Sequence, residues 1–525
     1  MVLSLRTTLK PYRLPGGFSA GVDRSVVPVY RSGEPGYMQP GRIYDARNVR
    51  FREGAVRKRA GWDNLGGALS GTIQQVFEFI NVSGIFNTVA IGTAGAWSYS
   101  DGTNTWTNRA TLAGSINQIP KYAVFNGKLV ICNGEFNNPQ EWDGVAASFT
   151  ALTGSPPTFC RDLLGYQNHL LAVAPTFGAT LYPYRVAWSD FNNENQWASG
   201  DAAVVDLLDR SDLLQAISFF ADFGALFRRT TVMNILPAAA PAFYQFSNVV
   251  QGGLLAPASV QRLPQGIAYL SDDYLRLYNG YSAPEVVVAL HPLIAEAGFN
   301  YQAAGTIVST IDIDHAEYLL AFPQSTTSST PDTIASWAYK ENYASLDDHA
   351  VTALGGRTRR IGGLAWNDPS LANATWGSLA GVQWASPILQ QGFPQLTGAS
   401  GAQPLVQSIF LSDNGVAYNS YVKSGLWDLG DPGFKRVERL GLEFDAQASG
   451  QLSVYLLASE SASIATATLL GPYLVSLTGQ NAVYVDCDDV PSARYFGIYI
   501  VHSVANQDWG LRDAILYARP RGMFA

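Results

Sequence analysis

A chain of 525 residues exceeds what one ordinary core accommodates, so two or more domains, or one large repeated architecture, are expected. Hydrophobic residues make up 47% of it and charged residues only 14%, with a formal net charge of -8. That balance argues against a general nucleic-acid coat and points to surface hidden against partners. Cys132, Cys160 and Cys487 are odd in number and far apart, which fits a reducing compartment and offers no zinc or redox spacing. The N-terminal MVLSLRTTLKPYR lacks the apolar core of a signal peptide, and no apolar run reaches the ~18 residues of a bilayer span. A protein made in the cytoplasm, without membrane insertion, is therefore expected.

In chain order, residues 11–41 carry five prolines and six glycines, a density that predicts an extended arm over 1–41 lying along a neighbour. From about residue 73 a unit recurs in which apolar strands end in Asp-Gly or Asn-Gly turns, as in AVFNGKLVICNG and FLSDNGVAYN; these dipeptides supply the positive φ of two-residue hairpins. Strand pairs open near 76, 122, 163, 217, 267 and 308. A period of roughly 40–50 residues filled with strands is the mark of propeller blades. The fold class expected is therefore all-β: a β-propeller of about six blades over 42–430, an extended N-terminal arm, and a C-terminal β-sandwich over 431–525, where period-2 strands such as RLGLEFDAQ and QLSVYLLAS begin after Pro432 and Gly433. A pair of irregular sandwiches is the competing architecture. IAEAGFNYQAAG, from 294, is the best helix candidate, and residues 350–405 fit no unit.

The segment NVRFREGAVRKRAGW, Asn48 to Trp62, places five cations and one acid in fifteen residues. Glu53-Gly54 reads as a two-residue turn, so Phe51 faces Val56, Arg50 faces Arg57 and Val49 faces Lys58. Alternation then puts Arg50, Arg52, Arg57 and Arg59 on one face and Val49, Phe51 and Val56 on the other, with Lys58 snorkelling from its edge. Such a face is either a solvated outer strand with intrachain pairs or a surface that docks an acidic partner or phosphates; docking is the expectation. An acidic counter-surface or ring lumen is expected at Asp190, Glu194, Asp201, Asp206, Asp209 and Asp212, within a stretch, 141–222, of net charge -7. Opposite poles on one chain suit head-to-tail contacts closing into a homo-oligomeric ring.

ARNVRFREGAVRKRAGW, YRVAWSDFNNENQWASG (184–200), FFADFGALFRRTTVMNI (219–235), IAYLSDDYLRLYNG (267–280) and the terminal SARYFGIYIVHSVANQDWGLRDAILYARPRG (492–522) resemble, in texture and order, segments of phage tail nozzle (tail tubular protein B-like) and tail-hub propellers. The resemblance spans most of the chain from about 42 onward. It implies a structural virion protein of a short-tailed bacteriophage: a hexameric ring below the portal and adaptor proteins that retains the packaged genome and forms the channel for transient passage of double-stranded DNA. Tail fibres are a further implied partner, though little length remains for a distal extension to hold them.

The enzymatic alternative is a glycan-binding or sialidase-like propeller. WSYSDGTNTW offers Asp101, Thr105 and Trp106 at the offsets of that family's turns, but Tyr99 and Thr103 replace the expected Ser and Gly. Glycoside hydrolysis needs two nearby carboxylates, for which Asp272-Asp273, Asp347-Asp348 and Asp488-Asp489 are candidates, yet acids in turns are commonplace. His169, His291, His315, His349 and His502 never fall at a zinc-helix spacing, DIDHAE (312–317) completes no calcium loop, no phosphate loop occurs, and GRTRR (356–360) reads as a solvated basic loop. No catalytic residue, metal or cofactor is expected.

Overall fold

Asn126 and Gly127, at φ of 51° and 70°, form the two-residue turn joining the strands Lys121–Phe125 and Lys128–Cys132. Glycine is needed there twice over, because a Cβ at Gly127 would sit 2.6 Å from the Val82 backbone nitrogen. Such hairpins recur through most of the described residues. The structure, a computed structural model, describes residues 10–13, 43–52, 55–240, 242–272, 274–284, 300–359, 393–408, 410–429, 433–445, 447, 449–487 and 489–520. The chain forms two compact units, one of Asp63–Ala335 and His349–Gln407, the other of Met1–Trp62, Ser336–Asp348 and Ser408–Ala525.

The first unit is a β-propeller. Its described residues form seven antiparallel blades whose innermost strands are Ile73–Ile80, Lys121–Phe125, Asp162–Tyr166, Leu214–Phe220, Gln261–Leu263, Val308–Asp312 and Ala353–Arg359. From blade 2 to blade 7 each innermost strand neighbours the next around a circle, and Ala353–Arg359 returns to Ile73–Ile80. Between blades 1 and 2 the contact is a stack of Phe77 on Tyr122, with ring centroids 3.5 Å apart. Apolar layers fill the spaces between blades: Phe77, Val89 and Ile91 against Leu129, Ile131 and Trp142, then Val130 and Cys132 against Leu163 and Leu170, and so on to Trp97 against Ala353 and Ala399 at the closure. Each such aliphatic or aromatic side chain contributes about 1.5–3 kcal/mol by leaving water.

The six expected blade openings coincide with innermost strands or, at 267, with the second strand of blade 5. A seventh blade comes from the residues that fitted no unit. It consists of Ala353–Arg359, Phe393–Ser400 and Gln403–Gln407, completed by residues 63 and 64 of the strand Trp62–Asn64. The ring is thus closed by strands from both ends of the unit, which a search for contiguous repeats does not find. Within the helix candidate, Tyr301–Thr306 is a 3₁₀ helix capped by the Asn300 side chain, while 294–299 lie outside the described residues.

The second unit is a sandwich. In one sheet Val49–Arg52, Ala55–Lys58, Leu511–Pro520, Lys435–Phe444 and Ala482–Asp486 are neighbours in that order, and Lys10–Arg13 also pairs with Leu511–Pro520. In the other the order within the unit is Tyr343–Asp347, Ile43–Arg47, Ser420–Ser424, Tyr495–His502, Gln451–Ser459 and Thr468–Ser476. Leu440, Leu442, Leu452, Val454, Leu456, Phe496, Ile500 and Trp509 are buried in its core. The division differs from the one read in the sequence, where the sandwich held only 431–525 and the hairpin of 48–59 belonged to the propeller. The C-terminal segment alone supplies three strands to each sheet, leaving long edges unpaired. The N-terminal strands and Tyr343–Asp347 extend both sheets. Residues 10–13 of the expected arm pair with the chain's own C-terminal strand; the rest of 1–41 and the Glu53-Gly54 turn lie outside the described residues.

His502 is 1% exposed on Tyr495–His502, and burial, aided by the charge of Lys58 and opposed by Gln507, lowers its imidazole to about 4. The unfolded chain then binds a proton between pH 6.5 and 4 that the folded chain refuses. Stability from this group is complete above pH 6.5 and falls by roughly 3 kcal/mol as the pH drops to about 4. Denaturant titrations across that range are expected to show the fall in wild type and a shallower one in His502→Leu.

Candidate functional site

The hairpin pairs in the register read from the sequence: Val49 with Lys58, Arg50 with Arg57, Phe51 with Val56 and Arg52 with Ala55. Val49, Phe51 and Val56 face the core, at most 2% exposed. The basic face does not open to solvent as a docking surface would. Arg50 is 7% exposed and makes a bidentate ion pair with Asp347, Nη1–Oδ1 and Nη2–Oδ2 both 2.7 Å, with further bonds to Ser345 Oγ and the Val49 carbonyl. Arg59, 2% exposed, makes a second bidentate pair with Asp413 at 3.0 and 2.7 Å, donates Nε–H to Asn48 Oδ1, and lies 4.0 Å from Asp347. Its guanidinium also stacks 3.9 Å from the centre of the Tyr418 ring, whose hydroxyl donates to the Arg59 carbonyl. Burial alone would lower the Arg59 pKa; the hydrogen bonds to Asp413 and the charges of Asp347 and Asp413 outweigh it and hold the group above its ordinary value.

Arg57, closer to the surface, reaches Asp445 and Asp508, and Arg52 is half-buried. Lys58 is buried rather than snorkelling: its ammonium donates to the Val504 carbonyl at 2.7 Å and sits 4.3 Å over the Tyr418 ring. Burial, with the neighbouring Arg59 charge, lowers it to about 8. The basic segment is therefore an internal lock whose acids come from the same unit. Arg50 and Arg59 are committed to these internal acids, as buried guanidinium groups are stable only when paired.

The expected acidic residues are not gathered into one cluster. Asp206, on the outermost strand of blade 3, is held by Arg185 through two 2.7 Å bonds, and Asp209 by the buried Arg228 at 2.6 and 3.0 Å; both carboxyls sit below their ordinary pKa through these arginines. Glu194 is buried against Lys128 and Asn126. There burial opposes ionisation, but the Lys128 hydrogen bond prevails and lowers its pKa. Asp212 accepts bonds from Thr230 and Thr231, and Asp190 accepts the Asp201 amide at 2.8 Å, fixing the loop of the SDFNNENQW segment. Asp206 and Asp209 keep substantial exposure, 40% and 47%.

The chemical candidates have structural partners. Asp101 pairs with Arg357 at 2.6 Å, and Trp106 donates to the Leu65 carbonyl. Asp347 serves Arg50, Asp348 pairs with Arg47, Asp272 with Arg229, and Asp489 accepts from Tyr473. Asp273, Asp488 and His291 lie outside the described residues. His315 Nδ1 and Asp312 Oδ2 are 2.7 Å apart across the turn of DIDHAE. Residues 356–359 of GRTRR belong to the innermost strand of blade 7, where Arg357 is 8% exposed, and are not a solvated loop. Among the described residues no group of three or more His, Cys, Asp or Glu side chains is placed to hold a metal.

One feature escapes sequence reading altogether. Where the innermost strands of the propeller begin, a cavity of about 550 Å³ opens, lined by residues that include Lys121, Glu135, Arg161, Gln118 and Gln215. The available signal is a cation at the start of a blade, as in PKYAVF and FCRDLLGY, but lone cations at strand starts are common.

No protein-family model and no curated protein sequence matches the chain. Solved structures similar to it include the β-propeller domain of Cps50 (Swd1) from Myceliophteria thermophila, at 8% identity and a TM-score of 0.36 over 56% of this chain and 92% of that one. Another is YCF48 from Cyanidioschyzon merolae, at 10% identity and a TM-score of 0.36 over 66% and 99%. A third, the computationally designed Ika8 protein, has 10% identity and a TM-score of 0.33 over 70% and 96%. The propeller is defined by the chain's own sheets and ring closure.

Replacing Arg59 by Ala leaves Asp413 and Asp347 without their shared cation. The expected loss of stability is about 3–5 kcal/mol, as for other broken buried pairs. Arg52→Ala, at a half-buried position, is expected to cost under about 1 kcal/mol. Urea denaturation of the two variants measures the difference; equal, small losses would contradict the lock.

Proposed function

We propose that this chain is a structural subunit of a short-tailed bacteriophage virion, a tail nozzle or hub protein that forms a ring, expected to be hexameric, below the portal and adaptor. The ring would retain the packaged genome and conduct it at infection. The observation that carries the reading is the family-like segment ARNVRFREGAVRKRAGW, whose cations are spent inside the fold on Asp347, Asp413, Asp445 and Asp508. A motif used this way is architectural, which suits a scaffold protein and not a catalyst.

Since Arg50 and Arg59 are committed internally, subunit contacts must draw on other surface. Val82, Ile85 and Val145 are 82%, 50% and 66% exposed, on loops of blades 1 and 2 tied together by the Asn81 Nδ2 bond to the Asp143 carbonyl. In a chain so poor in charge, an apolar patch of this kind is suited to contact between copies. The half-exposed carboxylates Asp206 and Asp209 would add charge to a lumen or a neighbouring face. A sialidase-like activity is the weaker reading, because the candidate carboxylates Asp101 and Asp347 are already engaged by arginines.

Native mass spectrometry and electron imaging of the purified full chain test the proposal. A closed ring of six copies is expected, with Val82→Asp combined with Val145→Asp shifting it to folded monomers. A wild-type chain that stays monomeric both alone and with portal–adaptor rings, or one that hydrolyses sialosides, would overturn it.

A further inference from the structure

The cavity of about 550 Å³ in the propeller is lined by two cations, Lys121 and Arg161, and one acid, Glu135. Its lining comes from the segments that lead into successive innermost strands, 115–121, 159–161, 213–215, 255–258 and Gly305, joined by 134–136 and by residues of the 174–181 loop. It therefore opens at a mouth on the face of the propeller where those strands begin. Two cations reach it from adjacent blades. Lys121 Nζ donates once, to the Pro257 carbonyl at 2.7 Å, and keeps two further donors. Arg161 is half-buried and makes one long bond, Nη1 to the Leu214 carbonyl at 3.3 Å. Among the described residues neither forms a salt bridge. Asp162 lies near Lys121, but its oxygens accept the Leu163 and Ile217 amides at 2.8 and 3.0 Å. Glu135 is the acid of the lining and is exposed at the rim.

The remaining walls carry both polar and apolar side chains. Ser115, Asn117, Gln118, Thr176 and Gln215 supply hydroxyls and amides, while Phe136 and Phe159 give apolar faces. Close packing lies behind them: a Cβ at Gly305 would fall 2.4 Å from the Asn117 carbonyl, and Gly134, at φ +68°, packs against the end of the Gln118 side chain. A volume of about 550 Å³ lies within the range of small-molecule sites. A half-buried guanidinium with unused donors is stabilised by an oxyanion, most strongly in bidentate geometry.

We propose that this mouth is a binding site for a small anionic sugar, a sugar acid or sugar phosphate. Its oxyanion is held by Arg161 and Lys121, its hydroxyls by the side chains of Gln118, Gln215 and Thr176, and its apolar ring face lies on Phe136 or Phe159. The site binds and does not cleave. It is independent of the virion reading, since it lies within one propeller and requires no assembly.

Isothermal titration of the full chain with glucuronate, glucose 6-phosphate, glucose and inorganic phosphate tests it. Either anionic sugar is expected to bind at least about tenfold more tightly than glucose and than inorganic phosphate, and which one binds identifies the oxyanion. Arg161→Gln and Lys121→Met are each expected to weaken that binding by about tenfold or more, with far-ultraviolet circular dichroism unchanged. Failure of both anionic sugars to bind wild type at millimolar concentration would overturn the proposal without touching the ring assembly. Equal binding of glucose, or of inorganic phosphate, would overturn it as well. So would undiminished binding in Arg161→Gln. Should a variant misfold, the wild-type comparison of charged with neutral sugar still decides.

Discussion

The sandwich unit depends on one buried charge arrangement. Its first chain segment lies more than 270 residues before the second, the third follows after 59 more, and each contributes to the same cluster: Arg50 and Arg59 from the first, Asp347 from the second, Asp413 from the third. Burying four charged groups is unfavourable unless all are paired at once, so the cluster is worth little until every segment is present. Polar clusters of this kind favour one arrangement over alternatives more than they add net stability. Here the arrangement fixed is the register of the hairpin against Tyr343–Asp347 and the loop around Asp413. The apolar face of the same hairpin, Val49, Phe51 and Val56, supplies the hydrophobic driving force.

The propeller solves a different problem with different means. Its blades expose no long unpaired inner edge because from blade 2 to blade 7 each innermost strand is flanked by the next, and the circle closes on residues 63 and 64. Most of what lies between blades is aliphatic and aromatic, which leaves the polar side chains to the loops and the cavity mouth. Hence cations such as Arg357 and Arg228 are matched by single acids within the unit, whereas Arg161 at the mouth is not.

Much of this architecture could be read from the sequence, and the parts that could not share a cause. Hairpin register follows from two adjacent strands and one turn, so Val49 to Lys58 was legible down to individual pairs. Blade openings follow from local period-2 patterning and Asn-Gly turns, so five innermost strands, and the second strand of blade 5, were legible. Blade 7 was not, because its fourth strand comes from residues 63 and 64 and its first two strands are separated by 33 residues, 360–392. The arginines were recognised, but their function was misjudged: Asp347, Asp413, Asp445 and Asp508 lie some 300 to 450 positions away, beyond any local pattern. The acids of 141–222 looked like a pole on a linear count, yet Asp206, Asp209 and Glu194 each have a neighbour of opposite charge in three dimensions.

One unit is a closed ring of blades, the other a sandwich assembled from distant pieces by a buried ionic cluster. Native-state hydrogen exchange followed by mass spectrometry tests that claim most directly. If the cluster binds the three segments into one cooperative unit, the amides of 49–58, 344–347 and 435–444 exchange with one common opening free energy. If those of 49–58 exchange orders of magnitude faster than those of 435–444, the hairpin is an appendage and the account of the unit is wrong.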